Sequence, residues 1–397
     1  MRPSLIDALE HKLQLLNAQG LQRQRRTIDS PCGPHLHTGG ISMLAFCSND
    51  YLGLAADPRV VEALREGALR YGAGSGASHL ISGHSQAHAV LEERLAAFMQ
   101  PDITDAAALY FCTGYMANLA VLSALADRDT TLFCEALNHA SLIDGARLSR
   151  AAVEVYPHHG IEQLSALLHA STATNKIVVT DSVFSMDGDL ANLPAILALC
   201  DQHDAWLLVD DAHGFGVLGQ HGRGALEHFA VSSPRIIYMG TLGKAAGVGG
   251  AFVAAHRTVI AWLIQRARPY IYSTAAAPAL AHALLTSLDI IDSDEGRAKR
   301  LHLHALIACF QTTLSLQRWH RAPSTTPIQP IIIGGNDTTM SLASALHDDG
   351  IWVGAIRPPT VAVGTARLRI ALSAAHTVED VDRLTARLNF HDQQGSL

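Results

Sequence analysis

The residue with the most suggestive chemistry is Lys244, in the run MGTLGKAAGVGGA just after an apolar stretch. Only three other lysines occur, and Lys12, Lys176 and Lys299 all lie on polar, solvated sequence. A lysine among small residues loses hydration, which lowers its pKa and frees the amine to attack a carbonyl. The run itself serves a structural lysine in a glycine turn equally well. It is not a Walker A loop, because Ala245 follows the lysine where Ser or Thr is required. A second concentration is WLLVDDAHGFGVLG, Trp206–Gly219, where two acids end an apolar run and His213 follows at once. Asp210 there is placed either to keep a ring nitrogen protonated, making the ring an electron sink, or to cap the next turn. In VVTDSVFSMDGDL, Ser185 offers a hydroxyl to an anionic oxygen. In YFCTGYMAN, Gly114 opens a helix whose first N–H groups suit a phosphate.

These groups need a scaffold that gathers strand ends. From Ala107 to about Ala254 the chain alternates short apolar runs with helical patterns. Strands are expected at Ala107–Phe111, Thr131–Cys134, Val153–Tyr156, Ile177–Thr180, Trp206–Asp210, Ile236–Met239 and Ala251–Ala254. Continuously apolar runs mark strands buried on both faces of a mostly parallel sheet. Helical stretches such as Ile161–His169 and Leu193–His203 supply the crossovers, giving an α/β domain whose ligands bind beyond the carboxyl ends of the strands. A helical zone from Ala277 to Leu316 leads to a smaller α+β unit, with strands at Ile328–Ile333, Ile351–Ala355 and Arg367–Leu372. Its helices are expected at Met340–Asp349 and Val378–Leu388, the latter opened by a Thr377/Asp380 cap. The expected division is an N-terminal helix and strand segment at 1–45, a large α/β domain at 46–285 and a small domain at 286–397.

Bulk properties narrow the function. The 397 residues are 48% hydrophobic and 16% charged, as for an ordered globular chain. A net charge of -7 argues against nucleic-acid or anionic-membrane partners. Leu5, Leu9, Leu13 and Leu16 form an amphipathic helix; Asp7 and Glu10 speak against a transit peptide, and no uninterrupted apolar leader precedes them. The apolar stretch 107–126 is interrupted by Gly114 and Asn118, so it reads as strand plus helix and not as a membrane span. Six scattered cysteines without C-x-x-C spacing suit a reducing compartment, and a cytoplasmic location is expected. No metal-ligand spacing such as H-E-x-x-H occurs, so no metal is expected.

Taken in order, SNDYLGL, GSGASHLISG, CTGYMAN, LNHASLIDG, DSVFSMDGD, VDDAHGFGVLG, TLGKAAG, YIYST, AIRPPTVAVGTARLR and SAAHT resemble the α-oxoamine synthases, from about Leu5 to Leu388. These are fold-type I pyridoxal-phosphate enzymes that join an amino acid to an acyl thioester with loss of carbon dioxide. The resemblance implies a homodimer with shared active sites and pyridoxal 5'-phosphate held by Lys244 as a Schiff base. It implies that Asp210 pairs with the pyridinium nitrogen, that His213 and Ser185 contact the phenolic oxygen and that His139 stacks on the ring. Gly114, Tyr115 and Thr241 would bind the phosphate, with Thr274 or Ser273 reaching the phosphate of the partner subunit. Arg369 would hold the amino-acid carboxylate, a task suited to a bidentate guanidinium. Arg23, or its neighbour Arg25, and Thr360 would face the acyl substrate. SNDYLGL with AIRPPTV points to L-alanine and a pimeloyl thioester, on coenzyme A or acyl carrier protein, as substrates. The alternatives are a glycine- or serine-using sister such as 2-amino-3-ketobutyrate ligase, or a non-catalytic partner subunit. The chain departs from the family pattern at Pro157–Gly160, where H-N-D is common, at AAGVGGA after the lysine, and at Ala362.

Overall fold

The computed structural model describes residues 4–394. They form two compact units. The small unit comprises the chain up to Ser48, Met186–Gly188 and everything from His304; the large unit comprises Asn49–Ser185 and Asp189–Leu303.

The chain enters through a helix, Leu5–Ala18, closed at its start by reciprocal Ser4–Asp7 hydrogen bonds. The strands β1 (His35–Thr38) and β2 (Ile41–Phe46) follow as a hairpin. The large unit carries β3 (Ala106–Phe111), β4 (Thr130–Glu135), β5 (Ala152–Tyr156), β6 (Asn175–Asp181), β7 (Trp206–Asp210), β8 (Ile236–Thr241) and β9 (Ala251–His256). They make one seven-stranded sheet in the order β3-β9-β8-β7-β6-β4-β5. All neighbours pair in parallel except β9, which runs against both β8 and β3. The continuously apolar runs are indeed buried, throughout β8 and from Leu207 onward in β7. The edge strand β5 is the exception, with Val153 and Val155 exposed. Because six strands run in parallel, the ends of β3, β4, β6, β7 and β8 open on one edge, and Gly114, His139, Asp181, Asp210 and Lys244 lie at or just beyond those ends.

The small unit adds β10 (His320–Arg321), β11 (Ile328–Gly334), β12 (Ile351–Ile356) and β13 (Ala366–Ala371) to the hairpin, in the order β1-β2-β12-β13-β11-β10. Its closing helix, Val378–Gln394, starts with the expected reciprocal bonds between Thr377 and Asp380. The expected helical zone at 277–316 consists of two helices, Pro278–Ile291 and Asp294–Thr313, with a break at Asp292–Ser293. The unit boundary falls at His304 and not at 286. Arg300, 3% exposed, donates to the carbonyls of Ile291 and Gln220 and so ties the start of the second helix into the large unit. No helix among the described residues is long and apolar enough to cross a membrane.

Candidate active site

A cavity of about 180 Å³ lies at the carboxyl edge of the large sheet. Seven of the residues singled out from sequence line it: Gly114, Tyr115, His139, Asp210, His213, Thr241 and Lys244. Lys244 is half-buried, and its Nζ lies 2.9 Å from His213 Nε2. The orientation of that histidine follows from its other side. The Tyr51 hydroxyl donates to Asn49 Oδ1 at 3.1 Å, and the same oxygen lies 2.7 Å from His213 Nδ1. A hydroxyl whose proton is already committed accepts, so Nδ1 carries the hydrogen and Nε2 turns a lone pair to Lys244. Tyr51 thereby aims the lysine through the imidazole.

The two acids at the end of β7 point to opposite faces, as successive strand residues must. Asp210, 3% exposed, faces the cavity. Its Oδ1 accepts from the Ala212 N–H at 3.0 Å and its Oδ2 from Asn118 Nδ2 at 2.7 Å. Asp211 faces away and holds the turn, accepting from Tyr238 Oη at 2.7 Å, from the Ala225 N–H at 2.8 Å and from Ser182 Oγ. Burial outweighs those donors and pushes its pKa up to about 7. The two adjacent acids therefore have separate tasks, Asp210 in the cavity and Asp211 in the turn.

Asn118 also connects Asp210 to His139. Its Nδ2 donates to Ser141 Oγ at 2.8 Å, so that hydroxyl passes its own proton to His139 Nδ1 at 2.7 Å. Burial lowers the His139 pKa and the Lys244 charge adds to this, with Asp210 opposing, which keeps the ring neutral with its hydrogen on Nε2. The backbone N–H of His139 donates to Asp181 Oδ2 at 2.7 Å. Asp181 is buried beside Asp210, and burial followed by that like charge raises its pKa well above the carboxylate range. The helices Gly114–Leu125 and Ala140–Ser149 bring Asn118 and Ser141 together by close approach at Gly145. A Cβ there would meet Leu122 Cδ1 at 2.8 Å and Asn118 O at 3.1 Å. Gly114 begins its helix after a Thr113 cap, with Thr113 Oγ1 accepting from the Met116 N–H. The Tyr115 hydroxyl is turned to Asp144, and its ring lies edge-on to His139, the centroids 6.4 Å apart. Thr241 donates to Gly250 O at 3.2 Å.

Ser185, Ser273 and Thr274 belong to the same unit but are not among the residues lining this cavity. Thr274 is exposed and bridges Ser78. Arg23 and Thr360 line a pocket of about 280 Å³ in the small unit, with Leu21 and Arg357. Arg369 lies buried on β13. Its strand neighbour on the same face, Arg367, is held by Asp187 Oδ1 at 2.5 Å and by the carbonyls of Met186 and Thr365. Residue spacing did not reveal Tyr51, Asn118, Ser141 or Asp181 as parts of the site. Their signal was polarity inside otherwise apolar motifs, most visibly Asn118 in GYMANLAVLSAL.

The family "Aminotransferase class I and II" matches residues 41–388. A protein of Janthinobacterium sp. (strain Marseille), called 8-amino-7-oxononanoate synthase, is 67% identical over 98% of this chain and 99% of its own. One of the same name from Bordetella petrii is 62% identical over 98% of both chains. Among solved structures, a serine palmitoyltransferase with a pyridoxal-phosphate internal aldimine superposes with a TM-score of 0.90 at 26% identity, covering 99% of both chains. The 8-amino-7-oxononanoate synthase of Francisella tularensis superposes with a TM-score of 0.74 at 29% identity, over 89% of this chain and 99% of that one. The likeness extends through the cavity and both units, and the chain belongs to the 8-amino-7-oxononanoate synthases, within the class I and II aminotransferase family.

Proposed function

We propose that the chain condenses L-alanine with a pimeloyl thioester, releasing carbon dioxide and the thiol carrier and forming 8-amino-7-oxononanoate for biotin biosynthesis. The enzyme is an acyltransferase dependent on pyridoxal phosphate. The observation that carries the reading is one cavity holding an amine aimed by a neutral imidazole, Lys244 on His213, together with the buried carboxylate of Asp210.

The donor set fits the cofactor. Asp210 accepts one hydrogen bond on each oxygen and, as a carboxylate with about four acceptor positions, has room for a ring N–H. The first N–H groups of the helix at Gly114 and Tyr115, with the Thr241 hydroxyl, would hold the phosphate. Lys244 would anchor the aldehyde, His139 would cover the ring, and Ser185 and His213 would contact its phenolic oxygen. When bound, pyridoxal phosphate supplies an electron sink for charge developing at the alanine Cα. Lys244 moves the Cα proton, with His213 fixing the direction of its amine. Asp210 would hold the ring nitrogen by accepting its hydrogen, which would keep the sink positively charged. Arg369 grips the alanine carboxylate, and Arg23 and Thr360 contact the acyl substrate. The active assembly is a cytoplasmic homodimer, in which Thr274 or Ser273 reaches the partner's phosphate site.

The test is carrier release by purified protein given each amino acid with each thioester. Alanine with pimeloyl-coenzyme A or pimeloyl-acyl carrier protein should be turned over fastest. Faster turnover of glycine with acetyl-coenzyme A, or of serine with palmitoyl-coenzyme A, would overturn the substrate assignment.

A further inference from the structure

We propose that His158, His159 and Asp189 form a binding site for one divalent transition-metal ion of zinc-like preference, with Glu135 orienting His158 from behind. All four residues lie in the large unit, outside the set lining the catalytic cavity. His158 Nε2 lies 2.9 Å from Asp189 Oδ2, and His159 Nε2 lies 2.6 Å from the same oxygen. The three ligand atoms fall within 4.8 Å of one another. Two imidazoles and a carboxylate on converging atoms are a donor set for zinc, nickel or cobalt, with solvent completing the coordination on the exposed His159 side. Metal–ligand bonds of about 2.1 Å require these atoms to part by roughly half an ångström.

Three further features go beyond what a surface ion pair requires. First, His158 Nδ1 donates to Glu135 Oε1 at 2.8 Å, and the Glu135 side chain is only 2% exposed. A ligating histidine whose far nitrogen is held by a buried carboxylate is the usual support of a metal site, because it fixes the ring and raises its basicity. Second, His159 adopts φ +56°, a left-handed conformation uncommon for any residue with a Cβ. That turn brings two adjacent histidines onto one oxygen, their ring centroids 4.0 Å apart. Third, Asp189 Oδ1 is buried and has no hydrogen-bond partner among the described residues, so the carboxylate keeps acceptor capacity in hand. Asp189 itself is anchored, its carbonyl accepting from the Phe184 N–H at 3.0 Å, and Phe184 packs edge-on against His158.

With the ion bound, His158 Nε2 would face the metal while Nδ1 keeps its hydrogen and donates it to Glu135 Oε1. The other imidazole cluster, His79, His84 and His88, lacks this freedom. His88 Nδ1 accepts from the Ser85 N–H, and its Nε2 donates to Ala276 O at 3.0 Å.

The experiment is calorimetric titration of tag-free holoenzyme with zinc chloride, repeated on His159→Gln, Glu135→Gln and His84→Gln. One ion per chain should bind. His159→Gln, an exposed position that leaves the core intact, should weaken binding at least tenfold, and Glu135→Gln about tenfold. His84→Gln should bind as the parent does. No saturable uptake by the parent, or equal affinity in His159→Gln, would overturn the proposal.

Discussion

Replacing Asn118 by leucine isolates the link between the two walls of the cavity. Asn118 is fully buried and gives one hydrogen to Asp210 and the other to Ser141. Leucine fills nearly the same volume and gives neither. A hydrogen bond to a charged group contributes about 1.5–3 kcal/mol. Folding should change little, because Asn118 Oδ1 is itself buried without a partner and its removal offsets part of the loss. Catalysis has no such offset, since Asp210 loses one of its two donors and Ser141 is free to turn from His139. A deficit of about 2 kcal/mol in the transition state corresponds to roughly thirtyfold in kcat. The assay is kcat for carrier release at saturating thioester and alanine, beside a thermal melt. A kcat within twofold of the parent, with the melt unchanged, would refute the role given to Asn118.

Other outcomes follow from the same geometry. Gly145→Ala should separate the helices that carry Asn118 and Ser141, since its Cβ would lie 2.8 Å from Leu122 Cδ1, and should lower both Tm and kcat. Gly224 has φ +88° and faces Asp211 Oδ2, where a Cβ would lie 1.8 Å away, so Gly224→Ala should cost about 2–4 kcal/mol in urea unfolding. In the absence of metal, the folded chain keeps the His158 proton up to about pH 10, whereas an unfolded histidine loses it near pH 6.5. Stability should therefore fall as pH rises through that window, and this part of the fall should be missing in His158→Gln. Arg369→Lys should raise KM for alanine more than tenfold, whereas Arg367→Lys should act mainly on Tm because Arg367 is committed to Asp187.

The large unit was legible because its strands are buried on both faces. Continuous apolar runs at Trp206–Asp210 and Ile236–Met239 admit few other readings, and the polar groups after them then share one edge. Lys244, Asp210 and His213 were found for that reason. The join between the two long helices at Asp292–Ser293 was missed, because a helix break without Gly or Pro carries little local signal. The short strand β10 was hidden for a similar reason, with only His320 and Arg321 to announce it. The supporting residues were less visible still. Asn118 matters through Asp210, ninety-two positions away in sequence, and no local pattern encodes such a pairing.

The central claim is that Lys244 carries the cofactor. Borohydride reduction of the purified holoenzyme, followed by proteolysis and mass spectrometry, tests it directly. The account predicts one pyridoxal-phosphate adduct, on the peptide containing Lys244, and none after Lys244→Ala. An adduct on Lys12, Lys176 or Lys299, or one that persists in the variant, would contradict it.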